Sequence, residues 1–600
     1  MAWPARRRKP WRPLAIARGS GFDARVTLPE PFVLLDDAGP GGGARLYRAP
    51  AEIVRADRPE ELTPALARLR ASSRHAAGFL SYEAGHALEP ALAGVARAPI
   101  MPLLWFGLFD RVETVDADAV LPDPAGAWAG APRPPVDAAT YQAMVVAAQA
   151  AITAGDIYQA NISFDAAVPV LGDPRALYAG LRRRQRAGHG ALLFTGTDWL
   201  LSLSPELFFT LEDGILTARP MKGTAPRTGD DAAAVARLRA DPKQRAENLM
   251  IVDLLRNDLA RVATPGSVAV PRLFAVESYP TVHQMTSTVI ARLAAERDAV
   301  DALVALFPCG SITGAPKLRA MELIAAIEGR ARGIYTGAIG RLDPDGDAAF
   351  NVAIRTLHLR AGAQTASLGL GAGIVADSVP AAEWRECLDK GAFVATPAGF
   401  DLIETMAFDP VDGLLRLDLH LARMKASAEA FGFPFDRHQA RNELQAATFR
   451  LRDSARVRLL LAANGALAVE ARAAPAAPDG PVGVALVPLP VAPADIRLRH
   501  KTSDRGFLTA ARTAAGSFEV AFVDPDGFLT EGSFSTLFVA RGDRLLTPPV
   551  ARGLLPGILR QELLDSGRAE EADLTPADLA DGFLIGNALR GLLPARVVAL

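Results

Sequence analysis

Cysteine is nearly absent: Cys309 and Cys387 are the only two in 600 residues. That excludes a disulfide framework and a cysteine-based zinc site, and it points to a reducing compartment, the cytoplasm. No apolar run reaches the roughly eighteen residues of a membrane span, so no membrane association of that kind is expected. An excess of one charge is also missing. Lysine and arginine number 65 against 67 aspartate and glutamate, a formal net charge of -2, so the chain has no global attraction for nucleic acid or anionic membrane. The start carries Arg6-Arg7-Arg8-Lys9 among prolines, with no apolar stretch behind it. This excludes a secretory signal and leaves a disordered basic tail over residues 1–20, or a nucleic-acid arm.

What is present fits a globular protein, with 50% apolar and 22% charged residues. Six hundred residues are too many for one core, so two or more domains are expected. Residues 21–132 read as α+β, with helical spacing over residues 51–69 and a strand over residues 78–83. The Pro-rich stretch 122–135 marks a boundary, and a second part runs over residues 133–395. The pattern restarts at Thr396-Pro397-Ala398-Gly399, and an Ala/Pro linker over residues 471–481 divides the remaining 396–600 into two lobes.

The organising stretch is Arg219-Pro220-Met221-Lys222-Gly223-Thr224-Ala225-Pro226-Arg227, read as a tight turn after a strand-like run over residues 199–210. A partly desolvated lysine there becomes a nucleophile; otherwise it is a solvated turn residue. Gln159 begins an alternating strand and is either a substrate contact or a polar edge residue. Glu206 interrupts an apolar strand pattern and must be exposed, paired or functional. A helix capped by Asp241 carries Glu247, Asn248, Asp253, Asn257 and Asp258, which suit either a hard cation or solvent. His283 sits in a strand. Phe307-Pro308-Cys309-Gly310-Ser311-Ile312-Thr313-Gly314-Ala315-Pro316-Lys317 is a Gly-rich, hydroxyl-rich loop opening a helix; it suits an anion but lacks Walker spacing. Tyr335 and Arg355 are expected in two strands, the arginine needing an anionic partner. Gly369 to Gly373 let backbone approach a ligand, and Glu383 and Glu386 share a helix face.

In this order these blocks, over roughly residues 79–395, resemble the chorismate-utilising enzymes, an α/β sandwich like anthranilate synthase component I. The resemblance implies magnesium held by Glu247 and Glu386, although Gln244 stands where the family has an acidic residue. It implies Tyr335, Arg355, Gly373 and the Thr313 loop around the substrate's carboxylates. Glu206 corresponds to the general acid and His283 to the histidine near the leaving hydroxyl. Lys222 with Gln159 resembles the ammonia-using, para-directed aminodeoxychorismate synthases; the anthranilate synthases carry alanine at the lysine position. No Cys-His glutaminase signature accompanies them, so ammonia is expected from solution or a glutamine amidotransferase subunit.

In the second half, residues 402–408 read as a strand and residues 419–431 as a helix with His420 and Arg423. A basic loop around Lys501, a strand with Glu531, a Pro-Gly helix start at Gly557-Ile558 and Asn587-Ala588-Leu589-Arg590-Gly591 follow. Each alone reads as structural. Together they resemble the class IV pyridoxal-phosphate enzymes, which have a two-lobed, D-amino-acid aminotransferase-like fold and include aminodeoxychorismate lyases. The resemblance implies Lys501 as Schiff-base lysine, Glu531 as partner of the pyridine nitrogen, and Arg423, Gly557 and Ile558 around the phosphate. Ala588 and Thr536 depart from the usual hydroxyl and asparagine. It also implies a homodimer through this half. The two resemblances together imply 4-aminobenzoate synthesis. The alternatives are an anthranilate-type synthase fused to an aminotransferase, and a non-catalytic chorismate-binding subunit.

Overall fold

The computed structural model describes residues 30–227, 229–278 and 282–599. The expected tail over residues 1–20 lies outside the described residues. Two ten-stranded sheets organise the first part of the chain. One runs in space from Gly314–Ala315 through Gln159–Gly172, Thr365–Ile374, Thr356–Arg360, Asp198–Ser204 and His189–Phe194 to Phe32–Asp36, Ala44–Arg48 and Glu113–Val115. The other runs from Met221–Pro226 through Val282–Arg292, Ile215–Ala218, Leu207–Glu212, Ala348–Val352 and Ala338–Leu342 to His75–Leu80, Leu104–Phe109 and Glu52–Ala56. Strands from both sides of the Pro-rich stretch 122–135 therefore share the same sheets.

A core including Val33, Tyr47, Phe79, Trp105, Leu193 and Ile339 lies between the sheets. Each outer face is covered by helices, so the layers run helix, sheet, sheet, helix. The strand Gln159–Gly172 shows why this arrangement makes a site. Its even positions, Ala160, Ile162, Phe164, Ala166, Val168 and Val170, are apolar and buried against the helices. Its odd positions Gln159, Asn161 and Ser163 are polar, buried and directed to the opposite face by the two-residue period.

The second part has a four-stranded antiparallel sheet centred on Leu402–Asp409 and Ala455–Leu461, covered by the helices Leu417–Phe431 and Arg437–Thr448. A seven-stranded sheet follows, in which Val482–Pro488 pairs in parallel with Glu519–Val523 and Gly591–Val598. No helix among the described residues is long and apolar enough to cross a membrane.

Several local expectations are corrected. Residues 51–69 divide into the strand Glu52–Ala56 and the helix Pro59–Arg70, because Pro59 starts a helix well but cannot sit within that strand's ladder. Lys222 lies in the strand Met221–Pro226, not in a tight turn. The ladder shifts register between Met221 and Thr224, and Gly223 takes φ +96 there, so the glycine makes a bulge. Tyr335 and Arg355 lie outside strands, and Arg355 takes φ +49 in the break between Ala348–Val352 and Thr356–Arg360. Residues 471–473 belong to the strand Leu467–Ala473, which shortens the linker, and Glu531 sits in a loop before the strand Thr536–Arg541.

Candidate active site

Lys222 stands where the open edges of the two sheets meet. A side chain at Gly373 would place its Cβ 3.3 Å from Lys222 Nζ and 3.0 Å from Gln159 Nε2, so glycine leaves this space open. Gln159 is buried and its Nε2 has no hydrogen-bond partner among the described residues, a costly state unless something else accepts from it. Burial pushes the Lys222 pKa down, and the nearby Lys390 ammonium lowers it further. Asn248 Nδ2 donates to the Lys222 carbonyl at 3.3 Å and Asn248 Oδ1 accepts from Ser287 Oγ at 2.5 Å, which fixes the strand to the helix Pro242–Ala260.

Glu206 follows the end of Asp198–Ser204, in the break that Pro205 makes between two strands. It is buried, and burial pushes its carboxyl above the usual range. Ser311 and the Lys222 charge pull the other way. Ser311 Oγ donates to Glu206 Oε1 at 2.6 Å from the loop that the sequence marked as an anion binder. In that loop Thr313 is turned inward: its Oγ1 donates to the Cys309 carbonyl at 3.1 Å, and its own carbonyl accepts from Asn161 N–H.

The carboxylates gather on two helices. Burial raises the Glu247 pKa, and Asp377 and Glu386 raise it further against the pull of Lys222 and Lys243. Burial also raises the Glu383 pKa, with Glu386 adding to it. Glu386 pairs with Lys390 at 2.7 Å. Of the five oxygen-bearing residues on the helix Pro242–Ala260, Glu247 joins this group and Asn257 is exposed. Asn248 faces the Lys222 strand, Asp258 pairs with Lys317 at 2.7 Å, and Asp253 pairs with Arg256 at 2.7 Å. No cluster of three or more His, Cys, Asp or Glu arranged as a complete metal site occurs among the described residues. The donor chemistry of Glu247 and Glu386 still fits magnesium, which takes a few carboxylates and completes its shell with water and substrate oxygens.

Tyr335 belongs to the same space. Its ring lies on backbone that only glycine permits, since a Cβ at Gly369 would come within 2.2 Å of Tyr335 Cγ. Its hydroxyl accepts from Asn161 Nδ2 at 3.3 Å. Two expected members are directed elsewhere. Arg355 is half-buried without an anionic partner among the described residues; its Nη1 donates to Gln185 Oε1 at 3.1 Å. His283 is fully buried, with Nδ1 2.8 Å from Ser278 Oγ and Nε2 3.1 Å from Asp231 Oδ1, so both ring nitrogens are engaged. Sequence reading missed Lys390, which donates to the Gly371 carbonyl at 3.0 Å besides pairing with Glu386. Its spacing of four residues from Glu386 on one helix was the available signal.

In the second half, burial lowers the Lys501 pKa to about 7, helped by Arg423 and Arg505. Burial raises the Glu531 carboxyl to about 7, and its buried Oε1 has no hydrogen-bond partner among the described residues. That orphaned oxygen is the complement of a pyridine-ring N–H, so the residues fit pyridoxal phosphate. Gly557 caps the helix Ile558–Asp565, and a Cβ there would lie 2.8 Å from Thr536 Oγ1. The helix N–H groups at Ile558 and beyond are those an anion uses. Arg423 is already committed: Nε and Nη2 hold Glu404 at 2.8 and 2.7 Å, and Nη1 holds the Pro556 carbonyl at 2.8 Å. Only its remaining N–H groups are left for a phosphate. Burial opposes the charge of Glu404, but Arg423 and His420 hold its carboxyl down to about 2. Ala588 contributes its carbonyl to Arg416 Nη1 at 3.5 Å and no side-chain polar group. Sequence reading passed over Glu519 too. It accepts from Ser533 N and Oγ, Phe534 N and Ser535 Oγ, and so shapes the loop after Glu531.

Comparison with known proteins agrees with this division. An aminodeoxychorismate synthase component 1 from Klebsiella aerogenes is 48% identical over 245 residues, 40% of this chain and 54% of that protein. A 2-amino-4-deoxychorismate synthase from Streptomyces globisporus is 45% identical over 241 residues, 40% of this chain and 48% of that protein. The chain thus spans about half the length of the curated relatives it matches. The crystal structure of anthranilate synthase component I from Streptococcus pneumoniae superposes with a TM-score of 0.51 at 26% identity, over 63% of this chain and 95% of that one. The amino-transferase class IV family matches residues 401–598. The chorismate binding enzyme family matches residues 31–396, and the chain belongs to it.

Proposed function

We propose that the chain makes 4-aminobenzoate from chorismate in two steps, the first half forming 4-amino-4-deoxychorismate and the second eliminating pyruvate from it. The observation that carries the reading is Lys222. It is a desolvated amine with lowered pKa, beside Gln159 Nε2, which has no partner among the described residues, and coupled to the protonatable Glu206.

Lys222, as the neutral amine, attacks ring carbon C2 of chorismate. The ring double bonds shift, and the C4 hydroxyl leaves as water with the proton of Glu206. Ammonia adds at C4, the double bonds return, and the C2–N bond breaks to free Lys222. The surplus proton of the new ammonium passes back to the Glu206 carboxylate. Gln159 Nε2 donates to a substrate oxygen and Tyr335 lines the ring, which orients C2 toward Lys222. Glu247 and Glu386 would hold magnesium, whose charge offsets that of the substrate carboxylate. His283 acts in this reading by supporting the fold around the site, since both its ring nitrogens are engaged with protein, whereas Arg355 has Nη1 on Gln185 and keeps its other N–H groups for a substrate carboxylate.

In the second half pyridoxal phosphate, when bound, supplies an electron sink. Lys501 holds the cofactor, then removes the ring C4 proton and returns it to the departing enolpyruvate. Glu531 receives the pyridine nitrogen, and Gly557, Ile558 and Arg423 receive the phosphate. Ammonia comes from a separate glutamine amidotransferase, as the component 1 names of the relatives suggest. The chain works as a homodimer through its second half, in the cytoplasm.

The Streptomyces globisporus relative is named for the 2-amino product, so the position of the amine is the point to test. Purified protein is incubated with chorismate, magnesium, an ammonium salt and pyridoxal phosphate, and products are read by mass and fluorescence. 4-Aminobenzoate with pyruvate is expected, replaced by 4-amino-4-deoxychorismate in Lys501→Ala. Anthranilate or a 2-amino product overturns the regiochemistry, and bound but unchanged chorismate favours a regulatory subunit.

A further inference from the structure

The segment that carries Lys501 is built against the other half of the chain. Ile496, five residues before the lysine, shares a core with Trp128, a side chain on the strand Ala127–Ala129 of the first half. The Trp128 ring meets Phe431 edge-on at 5.4 Å, and Phe431 meets His500, next to Lys501, at 4.7 Å. Gly172, on the strand that begins with Gln159, has φ +91, and a Cβ there would sit 2.8 Å from Ile496 Cγ2. A Cβ at Gly126 would lie 2.9 Å from Asp495 Oδ2. Arg497 pairs with Asp123 at 3.0 Å and with Asp495 at 2.7 Å, and its carbonyl accepts from Arg505 at 3.0 Å. The second half contributes the other wall, where Ile403 N–H donates to the Lys501 carbonyl at 2.8 Å.

We propose that the first half of the chain completes the support of the Lys501 segment, with Trp128 as its positioning residue. The proposal rests on the reading of Lys501 as the cofactor lysine. The close approaches at Gly126 and Gly172 leave no room for a larger residue, so the two halves meet as a fitted surface. The ladder Trp128, Phe431, His500 ends one residue from the amine. If the Trp128 contact is lost, residues 496–505 loosen and water reaches Lys501, whose charged neighbours are Arg423, Arg505, Glu404 and Glu531. The desolvation that lowers its pKa is then partly lost.

Hydrogen exchange on the full chain without cofactor tests this directly. Trp128→Ala is expected to speed exchange in residues 496–505 by about tenfold, while residues 519–535 change by less than about twofold. The milder Leu171→Ala, whose side chain packs on the same core, moves the same peptides in the same direction, and Trp128→Phe restores most of the protection. With pyridoxal phosphate added, the pH midpoint of its visible absorbance moves up in Trp128→Ala. Unchanged exchange in residues 496–505 in both alanine variants overturns the proposal. So does protection lost evenly across both halves in both variants, the mark of general destabilisation. Because exchange needs no turnover, a failed 4-aminobenzoate assay overturns the functional reading and leaves this result to stand or fall separately.

Discussion

Ser311→Ala perturbs the proposed acid of the first half, Glu206, without touching the proposed nucleophile Lys222. The Ser311 hydroxyl donates to Glu206 Oε1 at 2.6 Å, and both side chains are buried. Burial raises the Glu206 pKa, and this bond is the largest influence opposing it. A hydrogen bond to a charged group contributes about 1.5–3 kcal/mol, and the neutral acid retains part of it. The net loss is therefore about 1.4 kcal/mol, which is roughly one pKa unit upward. Glu206 and Lys222 titrate as a pair. Their working form, neutral amine with protonated acid, holds the same number of protons as their ion pair. The alkaline limb of kcat against pH thus reports loss of the pair's last proton. Removing the donor destabilises the carboxylate of the fully deprotonated pair relative to the neutral working form, so that limb moves to higher pH by up to about one unit in Ser311→Ala. The assay is formation of 4-amino-4-deoxychorismate with saturating ammonium, with the ammonia titration corrected for. An alkaline limb that stays in place, with only a lower plateau, refutes Glu206 as the acid.

Other outcomes follow from the same geometry. Glu247→Gln removes one of two expected metal carboxylates and raises the magnesium concentration for half-maximal amination by at least about tenfold, read by titration at fixed chorismate. Glu404→Gln leaves Arg423 and His420 facing a neutral group in a buried site and lowers stability by about 3 kcal/mol, read from urea unfolding of the cofactor-free chain. Capture of pyridoxal phosphate by the cofactor-free chain requires neutral Lys501. Its pKa is lowered to about 7, so the capture rate climbs as pH rises toward about 7 and levels above it. A rise continuing to about pH 10 would show an ordinary, solvated lysine instead.

Much of this architecture could be read from the residues because periodicity reports which face is buried. The alternation of apolar even and polar odd positions from Gln159 to Ala166 declares both the strand and the side that faces the site. Asp241 and Pro242 announced their helix by capping chemistry, and Glu206 was marked by standing in an apolar pattern. What could not be read depends on contacts distant in sequence. The partner of His283 is Asp231, and its other nitrogen meets Ser278 across a hairpin. Arg355 turns to Gln185 because its backbone leaves the strand with positive φ, a consequence of how two strands join. Lys222 was singled out as a nucleophile, but its strand and bulge follow from pairing with Val282–Arg292. Trp128 carries no local signal, since it matters through side chains from other elements, whereas Lys390 was legible only as the i+4 partner of Glu386.

The central claim is that Lys222 forms a covalent bond to the ring. Intact-protein mass spectrometry with chorismate and magnesium, ammonia withheld, tests it most directly. The expected result is a population heavier by chorismate less one water, mapped to Lys222 and discharged when ammonium is added. Amination at the wild-type rate by Lys222→Gln, with no adduct in either protein, would contradict it.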